Sequence, residues 1–169
     1  MGLPPIAGAG IHTLILGSLP SQASVREQRY YAHPRNAFWP IMGRLLNAGP
    51  DLDYPERCSR LTAAGIGVWD VLRASVRPGS LDANIDEATA EPNDFRQFFQ
   101  SHSTVERVFF NGRAAENLFE RKVLGQRPEL RDGREFVGLP STSPAHAAVG
   151  FETKLSRWAA VIAEPGQLR

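Results

Sequence analysis

Short apolar runs alternate along the chain with segments whose apolar positions have a helical spacing. Four runs rich in apolar, β-branched or aromatic residues each precede a turn: His12–Leu16, Ile66–Leu72, Val105–Phe110 and Glu135–Leu139. Helical spacing predicts helices over Ala37–Asn47, Pro55–Ala64, Phe95–Ser101, Arg113–Leu124 and Phe151–Ile162. Parallel strands need crossover connections, so this alternation predicts an α/β fold. We expect a three-layer α/β/α sandwich with a central four-stranded, mostly parallel sheet.

The length of 169 residues suits one domain with a full core. We expect this domain to span residues 11–163, between a flexible arm of residues 1–10 and a short tail of residues 164–169. No run approaches the roughly 18 apolar residues that cross a bilayer, and no secretory signal pattern is present. A cytoplasmic location is therefore expected. The single cysteine, Cys58, leaves no cysteine cluster for zinc or an iron–sulfur cluster, so no metal or other cofactor is expected.

The net charge is only +1, which excludes a globally basic binder of nucleic acid. Arginine nevertheless makes up 17 of the 19 basic residues, and its guanidinium pairs with phosphate through two hydrogen bonds. A genome rich in G and C is the simpler explanation of this bias. Some arginines fall in the loops after the first two strands and could form a local basic rim that binds a DNA backbone: Arg26, Arg29, Arg35, Arg73 and Arg77.

Polar or small residues follow every predicted strand. Gly17-Ser18-Leu19-Pro20 follows the first strand, Asp70 ends the second, Asn111 follows the third, and Pro140 to Ala145 follows the fourth. The carboxyl ends of parallel strands lie at one edge of the sheet, where such folds bind ligands. We therefore expect these loops to form one cleft.

The same loops resemble motifs of the uracil-DNA glycosylase superfamily. Gly17-Ser18-Leu19-Pro20 with His33-Pro34-Arg35-Asn36-Ala37-Phe38-Trp39 is similar to the first motif region of the mismatch-specific uracil/thymine glycosylases. Gly65 to Val71, Phe109 to Gly112 and Leu139 to Pro144 resemble the second strand, the third strand and the DNA-inserting loop. The segments Tyr30 to Asn36 and Leu139 to Ala145 are most similar to the hypoxanthine-DNA glycosylase branch.

The chain also departs from this pattern. Leu19 stands where the mismatch-specific enzymes carry a water-positioning Asn, and Leu139 stands where the uracil-specific branch has a catalytic His. The first-loop Asp and Tyr of that branch and the cysteine ligands of the iron–sulfur branches are absent. Ordinary uracil excision is therefore not the first expectation.

Two residues are candidates for catalysis. The resemblance places Asn36 at the catalytic position of the hypoxanthine branch, where an amide orients water beside an oxocarbenium-like centre. Asn36 also precedes a predicted helix and could be its N-cap, and both roles can coexist. Asp70 could accept the N1–H of hypoxanthine or act as a general base; alternatively it only ends a strand and satisfies backbone N–H groups.

The remaining site residues are assigned to the base or to the DNA. We expect base contacts from Gly17, Ser18, Leu19, Pro20, Tyr30, Tyr31 and Asn111, with the tyrosines as a stacking wall or, for one of them, core. Phe38 and Trp39 are expected in the core. DNA contacts are expected from Arg35, Pro140, Ser141, Thr142, Ser143, Pro144, Ala145 and His146, although an ordinary surface loop would have the same composition.

The resemblance implies a DNA glycosylase that removes hypoxanthine from DNA and acts as a monomer, and we expect it to be monofunctional, without a covalent adduct. Lys122 and Lys154 lie in predicted helices away from the loops, so neither suits a Schiff base. Two alternatives stay open: a uracil or broad deaminated-base glycosylase, and a non-catalytic module that binds DNA or nucleotides.

Overall fold

Four parallel strands form the central sheet in a computed structural model, which describes residues 1–163. Their order is β2-β1-β5-β6, with β1 at Thr13–Gly17, β2 at Ile66–Asp70, β5 at Arg107–Asn111 and β6 at Glu135–Leu139. Gly17 pairs with Asp70, and Asn111 pairs with Leu139, so the strands end level with one another. The predicted α/β architecture is confirmed. The expected tail of residues 164–169 lies outside the described residues.

Within residues 1–163, six α-helices accompany the sheet: α1 Gln22–Glu27, α2 Phe38–Leu46, α3 Tyr54–Ala63, α4 Phe95–Ser101, α5 Arg113–Leu118 and α6 Phe151–Trp158. Alternate residues of β1 enter different cores because successive strand side chains point to opposite faces. Leu14 and Leu16 pack with α4 and α5, whereas Ile15 packs with α2 and α6. Phe38 and Trp39 are buried in the second core, as expected. The sheet is therefore covered on both faces.

Three local predictions were wrong. The apolar run Ile66–Leu72 is not one strand: β2 ends at Asp70, and β3 at Leu72–Ala74 pairs antiparallel with β4 at Glu91–Pro92 in a second sheet. Asp70 interrupts this apolar run, but no Gly or Pro separates Asp70 from Leu72 to signal such a change of sheet. The predicted helix Arg113–Leu124 is α-helical only to Leu118 and continues as a π-helical turn over Phe119–Leu124. The predicted helix Phe151–Ile162 is α-helical only to Trp158 and continues as a 3₁₀ turn over Ala159–Ile162. In addition, the short helix α1 was not predicted.

Residues 1–10 lie against the sheet, in contrast to the loose arm expected. Ile6 and Val68 exchange backbone hydrogen bonds of 2.8 and 2.9 Å. Leu3 is buried, and its carbonyl oxygen accepts hydrogen bonds from the Tyr30 hydroxyl and from the Trp69 indole N–H. This segment thus packs on the outer edge of β2. No helix within residues 1–163 is long and apolar enough to cross a membrane.

Candidate active site

A cavity of about 390 Å³ opens at the carboxyl edge of the central sheet. The loops after β1 and β6 contribute to its wall, together with the last residues of β2 and β5, which are Asp70 and Asn111. The predicted site residues that line it are Gly17, Ser18, Leu19, Pro20, Tyr30, Tyr31, Arg35, Asn36, Asp70, Asn111, Ser141, Thr142, Ser143, Pro144 and Ala145. The sequence therefore predicted most of this wall, because parallel strands end at the same edge.

Gly17, Asp70 and Tyr31 meet at the floor of the cavity. A Cβ atom on Gly17 would lie 2.5 Å from Asp70 Oδ1 and 3.2 Å from the Tyr31 hydroxyl oxygen, so only glycine allows this approach. Asp70 Oδ2 and the Tyr31 hydroxyl are buried, and neither has a hydrogen-bond partner among the described residues. Buried polar atoms without partners are uncommon and mark a place where a ligand can supply them.

The environment of Asp70 disfavours its charge. The side chain is 3% exposed, and burial raises the pKa of its carboxyl to about 7. The Arg77 guanidinium opposes that pKa shift, whereas the Asp82 carboxylate adds to it. Asp70 can therefore change protonation state near neutral pH, as catalytic acids and bases do.

A wall that the sequence did not predict comes from the loop after β3. Arg77 is not part of a basic rim, as was expected; its side chain is 5% exposed and donates hydrogen bonds to the carbonyl oxygens of Leu19 and Pro20. Asp82 lies 3.6 Å from that guanidinium and accepts a 2.5 Å hydrogen bond from the Ser18 hydroxyl. These contacts fix the first loop to residues 77–82.

Asn36 has a structural role and also lines the cavity. Its Oδ1 accepts a 2.9 Å hydrogen bond from the backbone N–H of Phe38 at the start of α2. A carbonyl oxygen has two lone pairs, and the amide nitrogen carries two N–H donors. The N-cap position itself belongs to Ala37, not to Asn36 as considered from the sequence. Asn36 can accept the first N–H of α2 from the preceding position and still hold a water molecule in the cavity.

The last loop is fixed by Asn111 rather than left free at the surface. Asn111 Nδ2 donates to Thr142 Oγ1 at 2.8 Å, and the Thr142 N–H donates to Asn111 Oδ1 at 2.9 Å. The Thr142 carbonyl in turn accepts a 3.0 Å hydrogen bond from the Ala37 N–H. Both ends of the Asn111 amide are thus used for positioning, which differs from the base contact expected for it.

The two tyrosines have different environments. The Tyr30 hydroxyl donates to the carbonyl oxygens of Leu3 and Pro4, and the Tyr30 side chain is buried in the core. Tyr31 has a left-handed backbone, with φ of 55°, and its ring stacks on Phe38 with centroids 4.1 Å apart. Tyr31 is therefore the tyrosine whose hydroxyl remains available at the cavity.

Several residues expected at the DNA surface lie beside the cavity or are paired elsewhere. Pro140 and His146 do not line it; their carbonyl oxygens accept hydrogen bonds from Trp158 and from Lys154 Nζ. Lys154 is buried and holds the end of the last loop at 2.9 Å, so its expected place away from the loops was wrong. Among the rim arginines, Arg26 and Arg73 pair with carboxylates, and Arg29 lies over the Tyr54 ring.

The described residues contain no group of three or more His, Cys, Asp or Glu side chains that could hold a metal ion. The polar groups that line the cavity are two amides, two carboxyls, several hydroxyls, one imidazole and two guanidinium groups: Asn36, Asn111, Asp70, Asp82, the serines and Thr142, the tyrosines, His33, Arg77 and, at the exposed edge, Arg35. This set can bind a polar heterocycle and orient water beside it.

Comparison with known proteins agrees with this geometry. The model of the Uracil DNA glycosylase superfamily matches residues 6–162. The chain belongs to the uracil DNA glycosylase superfamily. Its relatives include a hypoxanthine DNA glycosylase from Methanosarcina acetivorans, which is 35% identical over 95% of this chain and 96% of the relative.

A second curated relative and a solved structure are also similar to this chain. A hypoxanthine DNA glycosylase from Methanosarcina barkeri is 37% identical over 66% of this chain and 70% of its own length. The solution NMR structure of a candidate uracil DNA glycosylase from M. acetivorans has a TM-score of 0.77 and 34% identity. That match covers 95% of this chain and 94% of the other.

The buried Asp70 carboxyl predicts a pH-dependent loss of stability. Its pKa rises from 3.8 to about 7 on folding, so the folded state binds the extra proton. The stability linked to Asp70 is present below pH 4 and is lost as the pH rises to about 7. We expect Asp70→Asn to raise the free energy of unfolding at pH 8 relative to wild type, by up to about 4 kcal/mol.

Urea unfolding at pH 4.5 and pH 8 measures this difference. The stabilisation by Asp70→Asn should be larger at pH 8 than at pH 4.5. Asp132→Asn is the matched control, because Asp132 is exposed and does not line the cavity. If the free energies of unfolding of Asp70→Asn and wild type differed by the same amount at both pH values, the raised pKa of Asp70 would be contradicted.

Proposed function

We propose that this chain is a monofunctional DNA glycosylase that removes hypoxanthine, the deamination product of adenine, in base excision repair inside the cell. The observation that carries the proposal is the cavity itself, where the Asn36 amide and the unpartnered Asp70 carboxyl face one space at the sheet edge. The hypoxanthine DNA glycosylases from Methanosarcina support the choice of base.

The target nucleotide must leave the duplex to enter this cavity. Flipping costs a few kcal/mol and is least costly for a mispaired or damaged base. Gly17 and its neighbours carry small side chains, so a purine can approach the backbone of the first loop. The exposed Arg35 and the hydroxyls of the last loop are proposed to hold the phosphates on either side.

We assign the chemistry to Asn36 and Asp70. Cleavage of the glycosidic bond passes through an oxocarbenium-like state, and Asn36 orients the attacking water while its carbonyl dipole faces the developing cation. Ionised Asp70 accepts the N1–H of hypoxanthine and so holds the base in place. The departing base takes up a proton, and water supplies the hydroxyl at the anomeric carbon, which leaves an intact abasic site.

The position of the two lysines supports the proposal of hydrolysis without a covalent intermediate. Lys122 Nζ donates to the Glu87 carbonyl, and Lys154 Nζ donates to the His146 carbonyl. Neither lysine lines the cavity, so neither can attack the anomeric carbon. We propose that the chain acts as a monomer on this pathway.

A panel of labelled duplexes tests the activity. Each duplex carries hypoxanthine, uracil, xanthine or an etheno base, and alkali then cleaves the abasic sites. We expect the fastest excision from hypoxanthine and no adduct after borohydride treatment. Faster excision of uracil would favour the uracil alternative, and binding without any excision would favour a non-catalytic module.

Replacement of Asn36 tests its role in positioning water. Asn36→Ser retains an oxygen that can cap α2, whereas Asn36→Ala retains none. We expect both variants to lose about 100-fold or more in the rate of hypoxanthine excision, while duplex binding persists. Only Asn36→Ala should lose stability, by about 1 kcal/mol. Full activity in Asn36→Ser would show that Asn36 acts as a cap alone.

The pH profile of excision tests Asp70. With Asp70 active as a carboxylate, the single-turnover rate should rise with pH and level off above its pKa of about 7. Asp70→Asn should be slower, and its profile should lack this step. Identical profiles for wild type and Asp70→Asn would remove Asp70 from base recognition.

A further inference from the structure

An exposed leucine stands at the mouth of the cavity. Within residues 1–163, the exposed large apolar side chains are Met1, Val25, Val76, Leu81 and Ile162. Leu81 is 53% exposed, and of this group it alone lines the cavity. Burial of such an apolar side chain against a partner is favourable, because it removes apolar surface from water.

The backbone around Leu81 is fixed on both sides. Ser80 Oγ accepts a 3.1 Å hydrogen bond from the backbone N–H of Gln22. Asp82 Oδ1 accepts one from the Ser18 hydroxyl, and the Leu81 carbonyl accepts a 3.0 Å hydrogen bond from the Asn84 N–H. Leu81 is therefore held outward by its neighbours and not left exposed by a loose loop.

The last loop offers no comparable side chain. Residues 140–146 contain only Pro, Ser, Thr, Ala and His, and Ala145 is the exposed apolar residue among them. An extruded nucleotide leaves a gap in the base stack, and proteins of the minor groove frequently insert an apolar side chain between base steps. Residues 140–146 cannot fill that gap with a large side chain.

We propose that Leu81 is the wedge that enters the gap left by the flipped nucleotide, from the loop after β3 rather than from the loop after β6. This inference rests on the proposed glycosylase function and adds a residue to its DNA contacts. Leu81 fills the stack while the hypoxanthine occupies the cavity beside it. The contacts of Ser80 and Asp82 hold the chain on either side of Leu81 at the cavity mouth.

Excision from paired and unpaired DNA tests this role. A single-stranded oligonucleotide has no duplex stack to fill, so the wedge matters only in the duplex. We expect Leu81→Ala to lower single-turnover excision of hypoxanthine from duplex DNA by about tenfold or more, and from the single strand by less than about twofold. Leu81→Met should restore most of the duplex rate. Val76→Ala, in the same loop and outside the cavity, should change neither rate.

A second readout does not depend on bond cleavage. With 2-aminopurine beside the hypoxanthine, wild type should raise the fluorescence of the duplex as the stack opens, and Leu81→Ala should raise it less. Equal losses of excision rate on duplex and single-stranded DNA would make Leu81 a contact of the flipped base and overturn its role as a wedge. An unchanged rate on both DNA forms would also overturn that role. Wild type that neither excises nor raises the fluorescence contradicts the glycosylase function itself, before any Leu81 variant is compared.

Discussion

The carboxamide of Asn111 joins the parts of the molecule on which the site depends. It exchanges two hydrogen bonds with Thr142, and the Thr142 carbonyl accepts the N–H of Ala37, next to Asn36. Three segments far apart in sequence therefore share one short chain of hydrogen bonds: the end of β5, the last loop and the start of α2. Because both ends of the amide are satisfied in a buried place, this connection is rigid. The position of Asn36 relative to the last loop follows from it.

The floor of the cavity combines a close approach of Asp70 to the Gly17 backbone with a carboxyl whose ionised form is disfavoured by burial. Gly17 lets Asp70 come against β1, and burial then raises the pKa of Asp70 to about 7. Such a carboxyl lowers the free energy of unfolding above neutral pH, yet it supplies a group that changes its protonation state near pH 7. The Arg77 and Asp82 pair lies beside it, so the loop after β3 influences both the shape and the charge of the pocket.

Hydrophobic periodicity predicted the sheet and the edge at which the site lies, because strand ends in a parallel sheet converge whatever their separation in sequence. Gly17 and Asp70 could be found in this way, whereas Asn36 lies far beyond the end of β1 and was found through the resemblance of its segment to the family motif. Arg77 and Leu81 could not, since their loop has no periodic pattern and its position is set by distant partners such as Ser18. The docked first segment was missed for the same reason: the pairing of Ile6 with Val68 is a tertiary contact without a local signal.

A crystal structure with a duplex that carries 2′-fluoro-deoxyinosine, whose glycosidic bond resists hydrolysis, tests the central claim most directly. The account predicts that hypoxanthine lies in the cavity between the first and last loops, with its N1–H at Asp70 and a water molecule between Asn36 and the anomeric carbon. A base that stays in the stack, or one that enters the cavity with Asn36 turned away from the sugar, would contradict the account.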